Sequence, residues 1–107
     1  MANYQIEYSR RARENLLGLG HKHLQVTVAH AIREQLSFEP DVETRNRKKR
    51  KPNPLALWQL RVGDVRVFYD LEDEPEPKVH IVAIGMKIRD RLCIGGEEYV
   101  SHEDAGD

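Results

Sequence analysis

Apolar and polar residues alternate at the start of the chain, where Tyr4, Ile6 and Tyr8 stand against Gln5 and Glu7. That period of two predicts a short strand with one buried face. Ser9 follows, with a hydroxyl suited to accept a hydrogen bond from an unpaired backbone N–H at a helix N-cap. The period then lengthens. Ala12, Leu16 and Leu19 share one helical face, and Gly18 and Gly20 close that segment. A second helix is predicted from about residue 21 to residue 38, with Leu24, Val28, Ala31, Ile32 and Leu36 as its apolar stripe and Pro40 as its stop. The short link predicts an antiparallel helix hairpin, and neither helix is apolar all round, so each needs a surface to pack on.

Residues 39–56 break both periods and read as a loop containing the basic run Arg45, Arg47, Lys48, Lys49, Arg50 and Lys51, followed by Pro52 and Pro54. From Leu57 the period of two returns. LWQLRV and VRVFYDL flank Gly63-Asp64, a two-residue hairpin signal, and KVHIVAIGM follows the acidic, proline-containing connection EDEPEP. Beyond Met86, Leu92, Ile94, Tyr99 and Val100 suggest a short final strand broken by Gly95-Gly96. No internal repeat is present. The fold class is α+β: an N-terminal strand and an antiparallel helix hairpin packed on a small, mainly antiparallel twisted sheet. One domain is expected over residues 1–100, with residues 101–107 as an acidic frayed tail.

The hairpin turn fixes a register. With Gly63 and Asp64 at the turn, Val62 faces Val65, Arg61 faces Arg66, Leu60 faces Val67, Gln59 faces Phe68 and Trp58 faces Tyr69. Alternation then puts Trp58, Leu60, Val62, Val65, Val67 and Tyr69 on a core face, and Gln59, Arg61, Arg66 and Phe68 on the other. Opposed arginines destabilise a sheet by about 0.2–1 kcal/mol. They are expected where an acid, here Asp70, neutralises them, or where an anion binds their forked donors. Phe68, beside the pair, is the candidate for stacking on a base, and Trp58 is read as core.

Charge sharpens this picture. The 107 residues carry a formal charge of −1, yet residues 92–107 hold five acids and no Lys or Arg, while residues 45–91 hold twelve basic residues against seven acidic ones. The basic middle predicts an anionic partner, and the acidic segment could shield that surface. The longest apolar stretches are far short of a membrane span. The opening MANYQIEYSRR has no apolar core with a cleavage site, so a cytoplasmic location and no membrane partner are expected. A single cysteine, Cys93, leaves no internal disulfide and no multi-cysteine zinc site. His21, His23 and His30 are spaced as surface residues, so no metal and no cofactor is expected.

The block W-x-L-R-V-G-D-x-R-V-x-Y from Trp58 to Tyr69, with I-x-x-I-G from Ile81 to Gly85, resembles the RelE/ParE toxin superfamily of bacterial toxin–antitoxin pairs. The resemblance covers about residues 3–95. It implies a toxin with a cognate antitoxin as partner, and in the RelE-like branch an endoribonuclease that cuts mRNA on the ribosome to inhibit translation. Cleavage there is attack by a ribose 2′-hydroxyl on the adjacent phosphate, which calls for a base, an acid and cations. Carried over by position, Arg66 matches the phosphate arginine, Arg61 a second cation, and Lys87 or Arg89 the basic residue beyond the last strand's glycine. Arg45, Arg47, Lys48, Lys49, Arg50, Lys51 and Phe68 would contact RNA.

The chain departs from the pattern at the acid–base residues. Leu57 and Gln59 stand where lysines are expected, and Cys93 stands near the expected C-terminal tyrosine or histidine, with Tyr99 and His102 further on. Two alternatives stay open: a ParE-like toxin that inhibits a protein target such as gyrase, and a non-toxic antitoxin-binding module. For the antitoxin, a groove beside the helix pair and the exposed Leu17 are the expected contacts.

Overall fold

In the computed structural model, which describes residues 3–50 and 55–99, the elements run β1 (Gln5–Tyr8), α1 (Arg10–Leu17), α2 (Lys22–Leu36), β2 (Arg47–Lys49), β3 (Trp58–Val62), β4 (Val65–Glu72), β5 (Lys78–Ile88), β6 (Arg91–Ile94) and β7 (Glu97–Glu98). Strands β2 to β7 lie in sequence order, and every neighbouring pair is antiparallel. Strand β1 pairs in parallel with β5. The α+β architecture expected from the periods is the one observed.

Strand β5 is long because it serves two partners on one edge. Its first half pairs with β1 as far as Tyr8↔Ile81, and its last part pairs with β6 from Gly85↔Ile94. The start of α1 fills the gap between them. Ser9 donates its N–H to the Ile81 carbonyl (2.9 Å) and its hydroxyl to the Val82 carbonyl (2.8 Å), while the Ile84 N–H donates to Asn15 Oδ1 (3.1 Å). Backbone groups that would otherwise be orphaned are thus satisfied. The Ser9 oxygen also accepts from the Ala12 N–H at 2.9 Å, the expected N-cap. The second helix ends at Leu36, two residues short of the expectation.

The helices cover one face of the sheet. Ala12, Val28, Ile32 and Leu36 pack there on Trp58, Leu60, Val65, Val67, Tyr69, Val79, Ile81 and Ile84, with Tyr4 and, from β1, Ile6 and Tyr8 at the margin. Trp58 stacks on Tyr69 with centroids 5.9 Å apart, and the Tyr69 hydroxyl donates to the Pro40 carbonyl at 2.8 Å. On the opposite face lies a smaller apolar cluster of Leu55, Ala56, Phe68, Ala83 and Ile94, flanked by Val82, Leu92 and Tyr99. A bulge in β5 lets Ile81 and Ile84, three residues apart, both face the helices. Phe68 pairs with Ala83 but Tyr69 with Ile81, leaving Val82 as the extra residue of β5.

The basic run is a correction to the sequence reading. It is not wholly loop: Arg47–Lys49 forms the edge strand β2, paired with β3. Its outer side is covered by the preceding segment. The Thr44 N–H donates to the Arg47 carbonyl (2.8 Å), and Glu43 Oε2 accepts from the Lys49 N–H (3.3 Å). Local capping and lysines together discourage edge-to-edge association. The segment after Met86, read as one broken strand, forms β6 and β7 about the Gly95-Gly96 turn, where both glycines have positive φ.

Candidate functional site

The β3–β4 turn positions the arginines. Gly63 has φ of 60°, the left-handed value that a two-residue hairpin with glycine first requires, and the register Arg61↔Arg66 follows. Arg61 is exposed and Arg66 half-buried. Arg66 Nη1 donates to the carbonyls of Gly63 (2.8 Å) and Val65 (3.2 Å), which tethers its guanidinium at the turn. Burial lowers its pKa below the usual guanidinium value, the neighbouring Arg61 lowers it further, and Asp64 opposes both.

Asp70 does not neutralise the pair. Its Oδ1 instead accepts the Leu57 N–H at 2.9 Å, pinning the start of β3. Among the described residues neither arginine has a carboxylate within ion-pair distance. The arrangement is therefore two opposed cations with no ion-paired carboxylate among the described residues.

Register shows which other cations join them. Lys48 is opposite Gln59, so it shares the arginine face. Arg50 donates to Gln59 Oε1 (3.4 Å) and lies over the Phe68 ring, 5.3 Å from its centroid. Gly85 is opposite Arg66, which places Lys87, two residues on, at the same side of the sheet, with its N–H bonded to the Asp64 carbonyl (2.8 Å). Arg89 is exposed at the two-residue β5–β6 turn, where it and Asp90 both take positive φ (50° and 69°) without a glycine.

Other predicted contacts are not brought there. Arg47 and Lys49 are opposite Leu60 and Trp58, on the helix side of the sheet, and Arg47 donates to the Gln35 carbonyl of α2. Arg45 is exposed in the bend before β2, and Lys51 and His102 lie outside the described residues. Phe68 is corrected outright: it is 0% exposed, beneath Arg50 and packed with Leu55 and Ala56, so its ring cannot stack on a base.

Tyr99 is the residue that sequence reasoning could not place. Its N–H donates to the Leu92 carbonyl at 2.8 Å, and it flanks the Phe68–Ala83–Ile94 cluster on the arginine side. Gly95-Gly96 was the signal, because a tight turn there returns the chain along β6. A phenol, able to give or take a proton, thereby shares a face with the arginines.

The rest of the molecule carries different chemistry. At the far end of the same face His80 sits between Glu72 (2.9 Å) and Glu7 (3.5 Å), and Lys78 pairs with Glu7 (3.5 Å). On the helix side, a cleft of about 470 Å³ is lined by Leu19, Met86, Ile88 and Cys93, with Glu14 and Asn15 at α1. His21, His23 and His30 are exposed, and among the described residues no group of His, Cys, Asp and Glu is arranged to hold a metal. No described helix is long and apolar enough to cross a membrane.

The fold can be compared with solved structures. A chain of the crystal structure of the toxin–antitoxin complex RelBE2 from Mycobacterium tuberculosis superposes with a TM-score of 0.67 and 24% identity, covering 79% of this chain and 99% of that one. The two chains share a fold. The shared fold is the α+β architecture expected from the sequence. No family model matches the sequence, and no curated protein does.

Proposed function

We propose that the chain is the toxin of a bacterial toxin–antitoxin pair and cleaves mRNA bound to the ribosome, inhibiting translation. The observation that carries the reading is the Arg61–Arg66 pair, opposed across β3 and β4 and lacking a carboxylate partner among the described residues. Such a pair is costly to a sheet and matches the oxygens of a phosphodiester. In this reading Arg61 and Arg66 hold the scissile phosphate, and Lys48, Arg50, Lys87 and Arg89 bind the flanking strand.

The chemistry requires the ribose 2′-hydroxyl to lose a proton as it attacks phosphorus. The P–O5′ bond then breaks, and the departing oxygen takes up a proton, leaving a 2′,3′-cyclic phosphate and a 5′-hydroxyl. The arginines stabilise the charge on the pentacovalent phosphorus. Tyr99 is the proton-transfer group we assign here: among the described residues His80 lies at the far end of the face between Glu72 and Glu7, Leu57 and Gln59 cannot serve, and Cys93 lies on the wall of the opposite cleft. Cytoplasmic location and a cognate antitoxin belong to the same proposal, with the helix-side cleft and the exposed Leu17 (65%) as the antitoxin's contacts.

Mapping RNA 5′ ends in bacteria soon after induced expression tests this, with Arg61→Ala/Arg66→Ala as control. New ends inside translated frames that vanish in the double variant are expected. Growth arrest without new ends overturns RNA cleavage in favour of a protein target such as gyrase. Neither arrest nor cleavage at verified soluble expression removes the toxin reading.

A further inference from the structure

Phe68 is covered, and what covers it is a planar cation. Arg50 lies over the Phe68 ring, 5.3 Å from its centroid, and its Nη1 donates to Gln59 Oε1 at 3.4 Å. We propose that Arg50, backed by Phe68, is the base-stacking platform of the arginine face: a nucleobase next to the phosphate held by Arg61 and Arg66 lies flat on its guanidinium. The inference rests on the reading of that face as an RNA site, and it assigns the stacking role that the buried Phe68 ring cannot fill.

Strand register puts the platform beside the arginines. Lys48, Gln59, Phe68 and Ala83 form one row of partners across β2 to β5. Arg61, Arg66 and Gly85 form the row two residues nearer the hairpin turn. Two residues of strand separate the rows by about 7 Å, a distance that one nucleotide of an extended strand bridges. Ala83 and Gly85 raise no bulky side chain beside them. The Arg50 N–H is anchored as well, donating to the Leu57 carbonyl at 2.6 Å. Its backbone, its Nη1 and the ring beneath it are thus held before a ligand arrives, which lowers the ordering cost of binding.

The surroundings of Arg50 suit a base better than a phosphate. Phe68, Leu55, Ala56, Ala83 and Ile94 form an apolar floor whose side chains supply no hydrogen-bond donor. A phosphate needs converging donors, and those stand on the Arg61–Arg66 row. A base presents a π-face, and a guanidinium plane, itself weakly hydrated, stacks on such faces. Lys48, on the same row as Phe68, offers only a point charge. Stacking of this kind accepts every base. The platform therefore positions a strand over the arginines without demanding a sequence.

Two fluorescein-labelled oligomers titrated at low salt into the full chain and into Arg50→Lys test the proposal. One is a short oligoadenylate, and the other is a phosphoribose chain of the same length without bases. The unmodified protein is expected to bind oligoadenylate about fivefold more tightly than the baseless chain. Arg50→Lys keeps the charge and loses the plane, so it is expected to lose that preference. Its affinity for the baseless chain should stay within about twofold of the unmodified protein's, because the charge that the phosphates meet is unchanged. Matching urea midpoints verify that the variant folds. Equal losses on the two oligomers, or no loss on either, overturn the platform and leave the RNA reading standing. An unmodified protein that binds both oligomers equally well overturns the platform without any variant. Failure to bind either oligomer overturns the RNA reading and the platform with it.

Discussion

Arg61 and Arg66 set function against stability at the level of single residues. Replacing Arg61 with Gln removes the like charge opposite Arg66 while keeping an exposed polar side chain, so urea unfolding should show a gain of about 0.2–1 kcal/mol. The same variant should bind single-stranded RNA more weakly, and a loss of stability would argue that the pair is not repulsive in the fold. Tyr69 poses the opposite case. Burial raises its phenol well above the usual 10.0, with Arg47 opposing and Asp41 adding to the rise. The neutral phenol is thus favoured in the folded chain. Its stabilisation is complete below about pH 10 and is lost as pH rises above that, because the unfolded chain releases the proton first. Tyr69→Phe should reduce the slope of stability against pH above 10 by one proton, and should cost about 1–3 kcal/mol at neutral pH by orphaning the buried Pro40 carbonyl. Alkaline urea titrations of both chains check the sign.

Among the elements, the β5–β6 hairpin depends on a close approach. A Cβ on Gly85 would meet the Cys93 carbonyl oxygen at 2.6 Å and Ile94 Cγ1 at 2.7 Å. Gly85→Ala should therefore destabilise the fold by about 1–3 kcal/mol. Hydrogen exchange should show the loss concentrated at β6 and β7, and uniform loosening would count against this account. The hairpin carrying the arginines was fully legible in the sequence, because a period of two with Gly63-Asp64 at its centre admits one register. Strand β2 was not. Its residues are Arg47, Lys48 and Lys49, which carry no alternation to read, and they pair because β3 presents an open edge to them.

For the molecule as a whole, the two sides of the sheet have separate tasks, one holding the helices and the other the cations. Lys48 and Lys49 are adjacent in sequence but lie on opposite sides. If RNA binds the arginine face, Lys48→Gln should lower the salt dependence of binding by about 0.7 in the log–log slope, the contribution of one phosphate contact to a single strand. Lys49→Gln should leave it unchanged. Equal slopes for the two variants would place the RNA elsewhere. The basic run, which in sequence looks like one patch, thus divides between a structural role for Arg47 and a surface role for Lys48 and Arg50.

Sequence alone determined the local elements and the opposition of Arg61 to Arg66, since periodicity and turn residues act over a few positions and need no distant partner. It also revealed the charge asymmetry, which is a property of composition. Only the tertiary structure decided what lies beside what. Leu55, Ala56 and Arg50 cover Phe68 on the face opposite Tyr69, which turned a candidate base-stacking ring into core. The Gly95-Gly96 turn brought Tyr99 to the arginine side, and the Leu57 N–H drew Asp70 away from the arginines. Each of these depends on contacts between residues more than five positions apart, and their geometry is fixed by packing rather than by spacing along the chain.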